Sequence, residues 1–416
     1  MKATNRLLPV PQLNVFNNSW MLEGIKQYSC SSEAILNENS NDAVHLFFPD
    51  KLIEKAEIFL NIFSDRCLYA IKANPHPAVL KTLWHAGMRS FDVASIREIR
   101  EVIALFPTAR LYFMHPVKSR QAIREAYSLG VRTFAVDHID ELNKIREETG
   151  FARDIDLLLR ISVNRKGAAY SLDGKFGARR EEAVELLQQA RNYSSKLGVC
   201  FHVGSQCMRP QAFYEAIHDV AQIIGAAGIE IDLLDVGGGF PVDYPDLAAP
   251  QLDLYFDEIN KAIKECGMEH LEILCEPGRA LVAESCAVAA RIELRKDREL
   301  YINDGVYGSL FDAGIMNWSY PVEKLEISGI TSTEETDDFK LFGPSCDSCD
   351  VMEGPFKLPS DVSEGDWIIF YNLGAYGYAM QSQFNGFYSD TMAAITENRN
   401  INRARKRVMD AVIHTV

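Results

Sequence analysis

From residue 66 onward the chain repeats one pattern, a short apolar and β-branched run followed by a longer stretch whose apolar positions recur every three or four residues. The short runs fall at 66–72, 89–94, 110–115, 132–137, 155–163, 199–205, 231–237 and 271–276. Bounded by turn-forming residues, they predict strands, and the stretches between them, such as 77–86, 96–105, 180–197, 212–226 and 254–266, predict amphipathic helices. Eight strands, each trailed by a helix, are the pattern of a (β/α)8 barrel, with a doubly wound α/β sheet as the alternative. After Cys286 the rhythm changes. Strand-like segments at 287–294, 299–302, 340–342 and 366–371 follow one another without long helices, which predicts a second, mainly β domain. The stretch before about Asn41 has too few apolar positions for a core of its own, so it should join that β domain or pack on the surface. The expected division is therefore 1–40 with the β domain, 41–286 as the barrel and 287–416 as the C-terminal β domain.

Composition narrows the function. With 416 residues and 47% hydrophobic side chains the chain can bury a large core, and no apolar run has the length of a membrane span. The first eleven residues lack the basic, apolar and small-residue zones of a secretion signal, so a cytoplasmic protein that engages no membrane is the expectation. Forty-three Lys and Arg face 58 Asp and Glu, for a net charge of −15, which argues against a nucleic-acid partner and is compatible with a cationic small molecule. Nine cysteines lie scattered, as reduced thiols would. Cys346 and Cys349 form a Cys-x-x-Cys, but no second ligand pair accompanies it, so no metal site is expected.

The chemistry gathers where such barrels keep their active sites, at the carboxyl ends of the strands. The first strand ends in Tyr-Ala-Ile-Lys72-Ala-Asn-Pro, the sixth in Phe-His202-Val-Gly-Ser205, the seventh in Asp-Val-Gly237-Gly238-Gly239-Phe-Pro, and the eighth in Cys-Glu276-Pro-Gly278-Arg279. A lysine closing an apolar strand would be partly desolvated, which lowers its pKa and frees its amine for covalent chemistry. Taken alone, Lys72 reads first as a strand-end lysine reaching solvent, while His202 reads equally as a bonded core histidine and the glycine run equally as a tight turn. Together they suggest a phosphate cradle beside a reactive amine and a carboxylate able to hold a protonated ring nitrogen.

These segments, with Phe-Asp92-Val-Ala-Ser, Gly-Pro-Ser-Cys346-Asp347 and Gly-Ala-Tyr376, resemble the ornithine decarboxylase group of fold-type III pyridoxal 5′-phosphate enzymes. That group shares the alanine racemase-like barrel-plus-β-domain fold. The resemblance covers about residues 45 to 390. It implies that Lys72 holds the cofactor, that His202 stacks on its ring and that Glu276 pairs with the ring nitrogen. Asp92 would join the cofactor site, and Ser205, Gly237, Gly238, Gly239, Gly278, Arg279 and Tyr376 would hold the phosphate. It further implies a homodimer with shared active sites, in which Cys346 of one copy returns a proton and Asp347 binds the substrate's distal ammonium in the other. Lys175 and Asp350 are similar to the family's intersubunit salt bridge. Phe384 is a candidate for the apolar face against the departing carboxylate.

The implied reaction is decarboxylation of a basic amino acid in polyamine synthesis, L-ornithine to putrescine first. Lysine, arginine, carboxynorspermidine or a siderophore precursor are alternatives, as are a racemase and a non-catalytic regulatory relative. One departure bears on that choice. Where the family carries a second carboxylate for the distal ammonium, ungapped counting after Ser309 places Met316, and Asp312 is the acid left to compensate.

Overall fold

The computed structural model describes residues 20–163, 167–170, 174–327 and 332–396. Parts of both terminal domain segments, 1–19 and 397–416, lie outside the described residues. The barrel strands are Leu68–Ala70, Ser90–Val93, Arg110–Phe113, Thr133–Val136, Asp156–Arg160, Leu197–Cys200, Leu233–Asp235 and Glu272–Leu274. Each pairs in parallel with the next in chain order. The ring is completed by a parallel bridge between Cys67 and Cys275, where Leu68 N–H donates to Cys275 O at 2.8 Å and Ala70 N–H to Pro277 O at 3.2 Å. Seven of the eight predicted runs contain a barrel strand and the sixth, 199–205, overlaps only the end of Leu197–Cys200; the observed strands are shorter because the polar tail of each run turns away at the mouth.

The connecting helices begin where the sequence offers caps. Ser95 Oγ accepts from Glu98 N–H at 3.2 Å and opens Ile96–Leu105, while Ser119 caps Arg120–Ser128. Such caps satisfy amides that the first turn leaves unpaired. The inner faces of the helices pack on the strands in one core that continues into the β domain, through Tyr69, Phe201, Phe240, Ile292 and Phe370.

The second domain is built on Cys286–Lys296, which pairs with Val44–Phe47, with Trp367–Phe370 and with Glu299–Ile302. Val44–Phe47 also pairs in parallel with Met392–Ile395, which in turn pairs with Lys26–Tyr28. The N-terminal segment thus enters this sheet, and Val44–Phe47, inside the range expected of the barrel, is a sheet strand as well. Val322–Leu325 and Val351–Pro359 were not among the predicted strands. The second carries a Gly-Pro in its middle, which reads as a break, and it is tolerated at the end of the sheet path, where half its ladder is unpaired.

The two domains are joined at the barrel mouth. Tyr376 N–H donates to Ala73 O at 2.8 Å, and Asn74 Nδ2 donates to Gly374 O at 2.9 Å. The sheet thereby lays its 304–318 and 373–380 loops over the ends of the barrel strands.

Candidate active site

A cavity of about 350 Å³ opens at that mouth. Ten of the sequence-nominated residues line it: Lys72, Asp92, His202, Ser205, Gly239, Glu276, Gly278, Arg279, Asp312 and Tyr376. Each arrives from a strand end or the loop after it, apart from Asp312 and Tyr376, which the β domain contributes.

Lys72 sits on a 3-10 turn, Ile71–Ala73, directly after the first strand, and its side chain extends uncovered into the cavity while protein surrounds it on the other sides. Burial pulls its pKa down, but the Asp92 carboxylate, Tyr376 and Glu276 together outweigh that and raise it above the ordinary lysine value. The expectation of a lowered pKa is therefore corrected. Desolvation is present, yet the acids facing the amine decide the sign.

Glu276 is buried, and burial together with neighbouring Asp235 and Asp92 lifts its pKa well above the usual carboxylate range. Asp235, at the end of the seventh strand, is likewise raised by burial, against the pull of Gly237 N–H at 2.8 Å on its Oδ1. Neither Glu276 Oε1 nor Asp235 Oδ2 has a donor, although the two side chains lie close enough to hydrogen-bond once one of them is protonated. His202 Nδ1 accepts Gly204 N–H at 3.0 Å, which puts the neutral ring's proton on Nε2. Burial, then Arg160 and Lys72, hold its pKa well below normal, so the ring is uncharged.

The glycine run does something the sequence alone did not suggest. Gly237 has φ of +69°, and a Cβ there would stand 2.0 Å from Phe201 O; on Gly239, with φ of +105°, it would stand 2.3 Å from Gly204 O. Gly238 packs equally tightly, 2.5 Å from Glu276 O on the same construction. The run therefore lets the sixth, seventh and eighth strand ends meet backbone to backbone, and Gly239 reaches the cavity while Gly237 and Gly238 lie buried behind it.

Arg279 is buried with its guanidinium donating to Tyr244 OH at 3.1 Å, 3.5 Å from Asp312 Oδ2, and 4.5 Å and 4.9 Å from the rings of Trp318 and Tyr376. Burial opposes its charge, but the surrounding tyrosines and Asp312 raise its pKa overall. Its Nε has no acceptor.

Cys346, Asp347 and Phe384 are not brought into this cavity. Cys346 is exposed with Sγ 3.2 Å from Asn385 Oδ1, Asp347 accepts from Tyr307 OH at 2.7 Å and Cys349 N–H at 2.9 Å, and Phe384 packs on Tyr307 at 4.6 Å. Asp350 is buried and accepts from Val306 N–H and Ser345 N–H, tying the two loops of its own domain together. Lys175 lies 5.0 Å over the Phe176 ring.

Reading the sequence missed Asp235, Arg160, Tyr244, Trp318 and Met380. Asp235 was visible as an acid within the apolar run Leu-Leu-Asp-Val. Arg160 closes the fifth barrel strand, Asp156–Arg160, where such a signal was also available, whereas Trp318 and Met380 carry none, since the β-domain loops that bring them to the mouth are placed by long-range packing.

Comparison with known proteins agrees with this geometry. Residues 50–283 match the family described as pyridoxal-dependent decarboxylase, pyridoxal binding domain. The chain is 35% identical to ornithine decarboxylase of Schizosaccharomyces pombe, over 77% of this chain and 75% of that one. It is 34% identical to decarboxylase flvG of Aspergillus flavus, over 77% and 78%. The lysine/ornithine decarboxylase of Vibrio vulnificus, solved with cadaverine, superposes with a TM-score of 0.75 at 30% identity, covering 87% of this chain and 95% of that one. The chain belongs to the pyridoxal-dependent decarboxylase family and adopts its fold-type III architecture. It is a pyridoxal 5′-phosphate-dependent amino-acid decarboxylase. The site suits that cofactor on its own terms: a protonated ring nitrogen would supply the donor that Glu276 Oε1 lacks, and a phosphate would meet Ser205, Gly239, Gly278 and the fixed Arg279.

Proposed function

We propose that this enzyme decarboxylates a basic amino acid and that two copies share each active site. The observation that carries the reading is the convergence of Lys72, His202, Glu276 and Arg279 on one cavity, with Glu276 Oε1 buried and lacking a donor. The substrates in the names of its relatives support the basic class.

When bound, pyridoxal 5′-phosphate supplies an electron sink for the pair released as the bond between Cα and the carboxylate breaks. The protein's part is to position and to manage protons. The Lys72 amine would anchor the cofactor, His202 would lie uncharged against its ring, and Glu276 would keep the ring nitrogen protonated, supported by Asp235 behind it. Asp92 would hold Lys72 in place. Ser205, Arg279 and Tyr376 would fix the phosphate, with Gly239 and Gly278 close by and Gly237 and Gly238 framing the turn. Cys346 and Asp347 do not line their own chain's cavity, which supports their use by a second copy: Cys346 would return a proton to Cα from Sγ, and Asp347 would meet the substrate's distal ammonium. Phe384, beside Tyr307 on the same surface, would accompany them. Ornithine is the finer reading, with lysine and arginine next.

The test is carbon dioxide release from a panel of ornithine, lysine and arginine by the cofactor-loaded enzyme. At least one should be turned over, and Lys72→Ala should lower that rate by about a thousandfold or more. Absence of release from every member, or a Lys72→Ala enzyme with full activity, would refute the proposal.

A further inference from the structure

Three of the nine cysteines are solvent-exposed, Cys30, Cys346 and Cys349, and the last two stand three residues apart in one loop. That loop, 343–350, joins the antiparallel strands Thr336–Phe342 and Val351–Pro359. Its base is closed where Phe342 pairs with Val351 and Gly343 N–H donates to Asp350 O at 2.9 Å. Further bonds fold it on itself. Ser345 N–H donates to Asp350 Oδ2 at 2.9 Å, Asp350 N–H to Asp347 O at 3.0 Å, and Cys349 N–H to Asp347 Oδ1 at 2.9 Å.

The residues on either side of Cys346 are thus both bonded to Asp350, the residue that follows Cys349, so the two cysteines flank one tight turn built around a buried carboxylate. A disulfide needs α-carbons about 4.4–6.8 Å apart, a separation that residues three apart reach in a turn and not in an extended chain. Both thiols lie on the same surface. Cys346 Sγ is 3.2 Å from Asn385 Oδ1, and the Cys349 thiol reaches the carboxylate of Asp347, the residue next to Cys346.

We propose that Cys346 and Cys349 form a redox-active dithiol, a modification site at which a low-molecular-weight disulfide such as oxidised glutathione closes a bond within the loop. One cysteine thiolate attacks a sulfur of the small disulfide, forming a mixed disulfide and releasing the first thiol. The other cysteine thiolate then attacks the protein-side sulfur of that bond, forming the Cys346–Cys349 disulfide and releasing the second thiol. Two protein thiols are oxidised, one glutathione disulfide is reduced to two thiols, and the two protons pass from the cysteines to the released thiols. The consequence for turnover rests on the reading above, in which Cys346 returns a proton in the second copy's site. The disulfide withdraws that thiol, so oxidation silences decarboxylation and reduction restores it.

The experiment equilibrates the cofactor-loaded enzyme with about 1 mM reduced and about 0.1 mM oxidised glutathione, where a lone thiol is only about one-tenth converted to its mixed disulfide. Free thiols are then alkylated and the peptide carrying both cysteines is weighed. More than half of that peptide should hold the internal disulfide, carbon dioxide release should fall at least twofold in proportion, and dithiothreitol should reverse both. Cys349→Ser, which cannot close the bond, should lose less than a quarter of its own activity in the same buffer. Free thiols or glutathione adducts in place of the internal bond overturn the inference, and so does a disulfide that leaves turnover unchanged. If the amino-acid panel releases no carbon dioxide, the decarboxylase reading fails by that measurement, and the mass of the peptide still decides whether the dithiol closes.

Discussion

The barrel mouth and the loop surface around Cys346 hold comparable numbers of reactive side chains, yet they behave as opposites. At the mouth, Lys72, His202, Asp92 and Glu276 are enclosed by strand ends and shift one another's titration. Around Cys346 and Asp347 the groups are solvent-facing or half-buried, engaged with Asn385, Tyr307 and Cys349, and outside the lining of that cavity. Burial converts proximity into strong coupling, because charges interact more strongly where water is excluded. One chain therefore completes the part of the site that holds the cofactor and leaves the part that meets the substrate's far end unfinished.

The sharpest way to break that contrast is to separate the two regions between subunits. Lys72→Ala and Asp347→Ala enzymes should each be strongly impaired, the first by about a thousandfold and the second by about ten- to a hundredfold. Mixing them in equal amounts should restore activity toward about a quarter of wild type, since half of randomly formed dimers would carry one intact site. If mixing restores nothing beyond the Asp347→Ala share, the loop surface does not serve a second copy.

A smaller effect tests the coupling at the mouth. Glu276→Gln should lower kcat by about ten- to a hundredfold, because an amide cannot hold the ring nitrogen's proton. Its effect on the cofactor-free protein has a definite sign. A carboxyl whose folded pKa is raised binds protons more readily when folded, so its contribution is most favourable at low pH and falls as pH rises from the ordinary carboxylate range through the raised value. Melting temperature of the cofactor-free wild type should therefore decline from about pH 5 to 8, and the decline should be shallower in Glu276→Gln. An unchanged slope would mean that Glu276 is not the group responsible.

The mildest test concerns Lys72 alone. With its pKa raised, the amine is protonated near neutrality, and only the free base can attack an aldehyde. The rate of cofactor uptake by the cofactor-free enzyme, followed by absorbance, should rise about tenfold per pH unit between about pH 6.5 and 8.5. A flat profile would show that Asp92, Tyr376 and Glu276 do not raise it.

Much of this was legible in the chain itself. Alternation of short apolar runs with helical periodicity specified the barrel, because strand and helix periods are local properties. Lys72, His202, Glu276 and Arg279 were legible because a barrel places every strand's carboxyl end at one mouth, so chain order alone predicts their meeting. The tertiary structure decided what depends on distance rather than order. It set the sign of the Lys72 shift, through the acids that face the amine. It showed the glycine run packing backbone on backbone between three strand ends. It set Asp312 beside Arg279 and left Met316 and Trp318 to wall the cavity, because those loops are positioned by the β domain packing over the barrel, a long-range arrangement that no local pattern encodes.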